Sequence, residues 1–133
     1  MSEEIHRSAP PRSRRCLLIE DHVDAAESLA MLLELAGHEV EVAFDGADGL
    51  AKARALRPEV VLCDIGLPGM DGYAVARALR AAPETGAAFL VALTGYGQDD
   101  DRRHALEAGF DTHLTKPVDL EALRRLLESG ARR

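Results

Sequence analysis

Five side chains in this sequence stand where an apolar run gives way to a polar loop: Glu20, Asp21, Asp64, Thr94 and Lys116. Glu20-Asp21 follows Cys16-Leu17-Leu18-Ile19, Asp64 follows Val60-Val61-Leu62-Cys63, Thr94 follows Phe89-Leu90-Val91-Ala92-Leu93, and Lys116-Pro117 follows Thr115. Taken singly, an acid at such a point is an ordinary helix N-cap or a solvated loop charge. Gathered together, three carboxylates repel and raise one another's pKa unless a cation neutralises them. The set contains no His or Cys, and an all-oxygen site suits a hard ion that keeps several waters, which points to Mg2+, or to Mn2+ in its place. Lys116 would partly neutralise the acids and anchor an incoming anion, and Thr94 adds a hydroxyl donor. Such a pocket suits a metal-bound phosphoryl group beside a carboxylate.

The gathering requires a particular scaffold. Continuous apolar runs of four or five residues suit strands buried on both faces of a parallel sheet. Residues 39–43 and 112–115 are weaker strands, expected at the edges. Between the strands lie helical patterns. Ala26, Leu29, Leu33 and Ala36 share one face, with Gly37 as a stop. Leu50, Ala53 and Leu56 mark a second helix that ends before Pro58, and 73–81 a third, capped by Asp71. Residues 99–108 form a fourth, ended by Gly109, and Leu120, Leu123 and Leu127 a fifth, which starts at Asp119. Five strands alternating with five helices imply right-handed crossovers and an α/β sandwich of three layers. In such sheets ligands bind beyond the carboxyl ends of the strands, where the five side chains would meet.

Composition narrows the function classes. The chain has 133 residues, enough for one domain: a flexible tail over 1–13, a body over 14–130 and a short tail over 131–133. Sixteen Lys and Arg against 23 Asp and Glu leave a net charge of −7, which argues against a direct nucleic-acid surface. No apolar run approaches the ~20 residues that span a bilayer, and no signal-peptide pattern opens the chain, so the expected location is cytoplasmic. Cys16 and Cys63 lack metal-site spacing, and the parallel register sets them too far apart for a disulfide.

The motifs in order resemble the receiver domains of two-component response regulators, over nearly the whole chain. They are Glu20-Asp21, Asp64 followed by Ile65-Gly66-Leu67-Pro68-Gly69-Met70-Asp71-Gly72, then Thr94 and Lys116-Pro117. The resemblance implies a flavodoxin-like, doubly wound five-stranded parallel sheet of strand order 2-1-3-4-5 with helices on both faces. It implies that Asp64 is the phosphoacceptor, taking a phosphoryl group from a phosphohistidine on a sensor or hybrid histidine kinase. Asp21, Asp64 and the backbone carbonyl of Gly66 would ligate Mg2+, with Glu20 acting through water. Lys116 and Thr94 would bind the phosphoryl oxygens, and the Lys116–Pro117 bond would be cis. Phosphorylation would switch the face made by the fourth helix, fifth strand and fifth helix for partner binding. Partners would include a histidine phosphotransfer protein or a downstream protein, and the chain would be a monomer or a weak homodimer through that same face. Self-catalysed phosphorylation and dephosphorylation are the only enzymatic steps implied.

Three positions depart from the family's pattern. His113 stands where an aromatic that swings inward is common; it could rotate in the same way, respond to pH, or cap an edge strand. Gly66, two after Asp64, has no side chain to steer a hydrolytic water. Tyr96, two after Thr94, either fills that space or is a loop aromatic. His104 lies in a strongly charged helical segment and reads as part of a solvated face. Two other classes compete: a receiver-like binding module that no longer depends on phosphorylation, and an aspartyl-nucleophile metal-dependent phosphatase. The phosphatase needs a second acid where Gly66 stands, and a cap insertion for which the chain has no length.

Overall fold

The computed structural model describes residues 13–95 and 99–130. Most of the expected N-terminal tail, the C-terminal tail and Tyr96 lie outside the described residues. The strands are β1 (Arg15–Ile19), β2 (Glu39–Ala43), β3 (Val60–Asp64), β4 (Phe89–Thr94) and β5 (Thr112–Thr115). The helices are α1 (Val23–Leu35), α2 (Gly46–Leu56), α3 (Gly72–Ala81), α4 (Asp99–Ala108) and α5 (Leu120–Gly130). All strands pair in parallel in the order β2-β1-β3-β4-β5. The weaker runs are the edges, as their composition predicts.

Alternation along the strands separates two cores. Leu17, Ile19, Val61, Cys63, Leu90 and Ala92 point to the face covered by α2, α3 and α4, through Ala53, Val75, Leu79 and Ala105. Cys16, Leu18, Val60, Leu62, Val91 and Leu93 point to the other face, covered by Leu29 and Leu33 of α1 and Leu123 and Leu127 of α5. Every residue of β3 and β4 is buried, as continuous apolar runs require. Three helices start on aspartate caps. Asp45 accepts from the Asp48 amide at 2.7 Å, Asp71 from Ala74 at 2.9 Å and Asp119 from Ala122 at 2.9 Å. Such a cap contributes about 1 kcal/mol.

Cys16 lies level with Val60 and Cys63 with Ile19, so the thiols sit three residues apart along neighbouring strands, and both are free. Burial, helped by the charge of Glu59, pushes the Cys16 thiol up to about 12, and burial pushes Cys63 up as well. Neither offers a reactive thiolate at neutral pH.

Two partly buried polar assemblies tie the sheet at the end where the strands begin. Arg80 of α3 donates through Nε to the Gly109 carbonyl at 2.9 Å and through Nη1 to the Gly86 and Ala88 carbonyls at 2.9 and 2.7 Å. Its Nη2 meets Asp111 Oδ2 at 2.8 Å, and that oxygen also accepts from the Leu90 amide at 2.8 Å. Gly109, at φ +118°, lies so close that a Cβ there would fall 2.8 Å from Arg80 Cγ.

The second assembly holds the entry to β1. The Arg14 amide donates to Nδ1 of buried His38 at 3.0 Å, and the Arg14 guanidinium faces Glu59 at 3.6 Å. Burial first, then the charge of Arg14, lowers the His38 pKa from its ordinary 6.5, with Glu59 opposing. The unfolded chain therefore binds more protons than the fold just below pH 6.5, so stability falls as pH drops through that value. His113, also shifted down, adds in the same direction. Urea unfolding at pH 7.5 and 5.5 should show this loss. His38→Asn, which keeps an acceptor for the Arg14 amide without titrating, should shrink it; an equal loss in the variant would remove His38 as a cause.

Candidate functional site

Ile19 pairs with Cys63, so β1 and β3 release the chain side by side, with Glu20 next to Asp64. The strand order reverses between these two strands, which is where an open parallel sheet leaves a crevice. Glu20 is 2% exposed and Asp64 8%, a burial that charged carboxylates tolerate only with partners. Lys116 supplies them: its Nζ lies 2.7 Å from Glu20 Oε1 and 3.1 Å from Asp64 Oδ2. Asp64 Oδ1 accepts from the Gly66 amide at 2.9 Å, and Glu20 Oε2 accepts from the His22 amide at 3.1 Å. Burial alone would lower the Lys116 pKa. Its hydrogen bonds to Glu20 and Asp64, reinforced by the charge of both, outweigh that and raise it. The ammonium therefore stays charged.

Lys116 reaches the pocket because Thr115 pairs with Thr94, and the Lys116 amide donates to the Thr94 carbonyl at 2.8 Å. The Lys116–Pro117 peptide bond is cis. Thr94 ends β4, is buried, and its Oγ1 lies 3.5 Å from the Leu114 carbonyl.

The backbone of Asp64 is held by Gly72, the first residue of α3. A Cβ at Gly72 would stand 2.6 Å from the Asp64 carbonyl oxygen and 2.6 Å from Ile65 Cα. Both are backbone atoms with nowhere to go. Gly72→Ala should cost about 1–3 kcal/mol, the usual range for overpacking, and should displace the loop that carries Asp64. Urea unfolding checks the first effect; wild-type stability would mean that the helix start yields freely.

One oxygen in the pocket is left over. Asp21 Oδ1 is buried and has no hydrogen-bond partner. An orphaned carboxylate oxygen beside two further buried acids is the arrangement a bound cation would complete. Ligand atoms of Glu20, Asp21, His22 and Asp64 all lie within 4.8 Å of one another. The donor set thus fits a divalent cation, and an imidazole stands at its edge. His22 turns Nδ1 to within 3.3 Å of Glu20 Oε2 and 3.6 Å of Asp21 Oδ1. Its adjacency to the acidic pair is the only signal of it in the sequence.

The remaining candidates lie apart from this cluster. His113 is half-buried on β5, directed to the sheet face opposite Leu114, and its pKa is pushed down by burial first and by Arg102 second. His104 is not simply solvated, since its ring meets Tyr73 of α3 edge-on at 5.9 Å. Among the described residues, no helix is long and apolar enough to cross a membrane.

The sequence matches the response regulator receiver domain family over residues 16–128. It is 36% identical to the protein PilH of Pseudomonas aeruginosa over 115 residues, 86% of this chain and 95% of PilH. It is 34% identical to the DNA-binding dual master transcriptional regulator RpaA of Synechocystis, over 90% of this chain but only 49% of that protein, so the chain spans about half of RpaA's length. Among solved structures, a putative response regulator from Chloroflexus aurantiacus superposes with a TM-score of 0.87 at 30% identity, covering 92% of this chain and 100% of that one. The receiver domain of a sensor histidine kinase from Pseudomonas aeruginosa, crystallised with magnesium in its active site cleft, gives 0.84 at 29% identity, covering 92% and 100%. With the five-stranded order, the acidic crevice and the lysine that closes it, these likenesses establish that the chain belongs to the response regulator receiver domain family of two-component systems.

Proposed function

We propose that the chain is a phosphoacceptor switch in which Asp64 takes a phosphoryl group from the phosphohistidine of a histidine kinase. The reading rests above all on Asp64 itself, a buried carboxylate at the switch point, held by the Gly66 amide and Lys116 beside the unpartnered Asp21 oxygen. A carboxylate oxygen of Asp64 attacks phosphorus, forming the P–O bond of an acyl phosphate. The P–N bond breaks, and its electron pair returns to the imidazole of the donor. Gly66 and Lys116 hold the carboxylate in place, so little reorganisation precedes attack. Asp21, Asp64, the Gly66 carbonyl and, through water, Glu20 would hold Mg2+ or Mn2+, which when bound neutralises charge on the phosphoryl oxygens.

In the product Asp64 no longer offers Lys116 a carboxylate, and the ammonium follows the new negative charge while keeping Glu20. The Thr94 hydroxyl, weakly engaged with Leu114 at 3.5 Å, is the donor free to turn to the same phosphoryl group. That movement would pull the end of β4 and bias the α4–β5–α5 face on which a downstream partner or a second copy docks. An apolar groove lined by Ala25, Leu29, Leu32, Leu93, Pro117 and Val118 opens beside Glu20 and Lys116.

Incubation with acetyl phosphate, followed by intact mass, tests the reading. One phosphoryl group should add in the presence of Mg2+ and none in excess chelator. Equal labelling under both conditions would refute the metal-dependent mechanism; no labelling under either would refute the phosphoacceptor role.

A further inference from the structure

Helix α4 is held unevenly along its length. It opens Asp99-Asp100-Asp101-Arg102-Arg103-His104, charged or polar throughout, and its apolar residues begin at Ala105. Ala105 and Ala108, both toward its end, are the ones that pack into the core. Beyond them the chain is pinned. The Gly109 amide donates to the Ala105 and Leu106 carbonyls at 3.2 and 3.1 Å, buried Phe110 donates to Ala105 at 2.9 Å, and Asp111 donates to Leu90 at 2.8 Å. Arg80 fastens the same point from α3, through the Gly109 carbonyl and the Asp111 carboxylate.

The start of α4 has a different neighbour. The His104 ring meets the Tyr73 ring at 5.9 Å and an interplanar angle of 73°. Tyr73 directly follows Gly72, whose amide donates to the Ile65 carbonyl at 3.2 Å and which packs on the Asp64 backbone too closely for a Cβ. The loop that leaves Asp64 and the ring that touches α4 are therefore joined through one residue. That loop is also the first segment to feel a phosphoryl group. Asp64 Oδ1 holds the Gly66 amide at 2.9 Å, and an acyl phosphate, with no charge left on the carboxyl, is a weaker acceptor.

We propose that α4 is a lever: Arg80 fixes its end as a pivot at Gly109, and the Tyr73–His104 contact carries movement of the Asp64 loop into its start. The inference rests on the reading of Asp64 as phosphoacceptor, and adds a route to the α4–β5–α5 face that does not pass through Thr94. A helix buried at one end yields by tilting about that end, because unseating Ala105 and Ala108 would open the core. Arg80 is a positioning residue here. It decides where the helix turns from, not whether Asp64 is phosphorylated.

Hydrogen exchange read amide by amide by NMR tests this on the intact chain, with Mg2+ and excess acetyl phosphate, while intact mass reports the phosphoryl group. Exchange at Arg102, Arg103 and His104 should change on phosphorylation by about 2- to 10-fold, the strength of an edge-to-face aromatic pair. Exchange at Gly109, Phe110 and Asp111 should stay as it was. His104→Asn removes the ring at an exposed position and matches histidine in helix propensity. It should speed exchange at 102–104 before phosphorylation and leave little further change after it, with labelling intact. Arg80→Lys should label as fully yet let the response spread to 109–111. An equal response at both ends of the wild-type helix, a wild-type response in His104→Asn, or a response still confined in Arg80→Lys overturns the lever, while labelling leaves the phosphoacceptor reading standing. If nothing is labelled, both fall.

Discussion

Asp64→Asn is expected to abolish phosphoryl labelling entirely while leaving the protein as stable as before or more so. The amide has no anionic oxygen to attack phosphorus, but it matches the carboxylate in shape and can still accept from the Gly66 amide. The stability argument is electrostatic. Glu20, Asp21 and Asp64 crowd three acids around one ammonium at Lys116, and removing one acid relieves repulsion without stranding Lys116, which keeps Glu20 at 2.7 Å. Optimising a charge in this way commonly adds about 0.5–2 kcal/mol. Intact mass after acetyl phosphate treatment reads the first effect and urea unfolding in metal-free buffer the second. Labelling that persists on another acid would displace Asp64 from its role. A marked loss of stability would mean that the carboxylate serves the fold as much as the chemistry.

Arg80→Ala should be the most damaging substitution far from the crevice. One guanidinium serves the loop before β4, the residue after α4 and the acid before β5, through four hydrogen bonds of 2.7–2.9 Å. Its loss leaves the carbonyls of Gly86, Ala88 and Gly109 to find water and takes from Asp111 its opposing charge. Breaking a fully buried pair costs about 3–5 kcal/mol; Arg80 is 24% exposed and Asp111 14%, so about 2–4 kcal/mol is expected, with a fall in Tm on the order of 10 °C. Arg80→Lys should recover only part of this, because an ammonium cannot reproduce the planar fork. A loss under 1 kcal/mol for Arg80→Ala would show that water replaces the guanidinium at no penalty.

The parts of the molecule that were legible in the sequence are those with a period or an abrupt end. An apolar run of four or five residues that stops at an acid has few readings besides a central parallel strand. The strands at 39–43 and 112–115 lie where the sequence placed them, and β1, β3 and β4 each extend their apolar runs by one residue. Asp71 and Asp119 cap the helices they precede. Glu20, Asp64 and Lys116 meet at one edge because strand ends in a parallel sheet have no choice. What was hidden depends on side-chain direction. Arg80 looks like any helix arginine, and nothing in the pattern joins it to Asp111. Nothing in the pattern turns the His22 ring back toward Glu20 and Asp21. Gly72 has no periodic reason to be glycine; its reason is close contact with the backbone of Asp64 and Ile65.

The two faces of the sheet share no side chain. Residues 16, 18, 60 and 62 belong to one core, and 17, 19, 61 and 63 to the other, with only the hydrogen-bonded backbone between them. Free energies of substitution at sites without shared partners add. A change in volume under α1 or α5 is therefore invisible to the packing under α2, α3 and α4. The chain has two independent mutational reserves: the layer under α1 and α5 and the layer under α2, α3 and α4 can each drift to suit a new partner without retuning the other. Only the strand ends, where Glu20, Asp64 and Lys116 draw three strands to a single point, bind the two histories together.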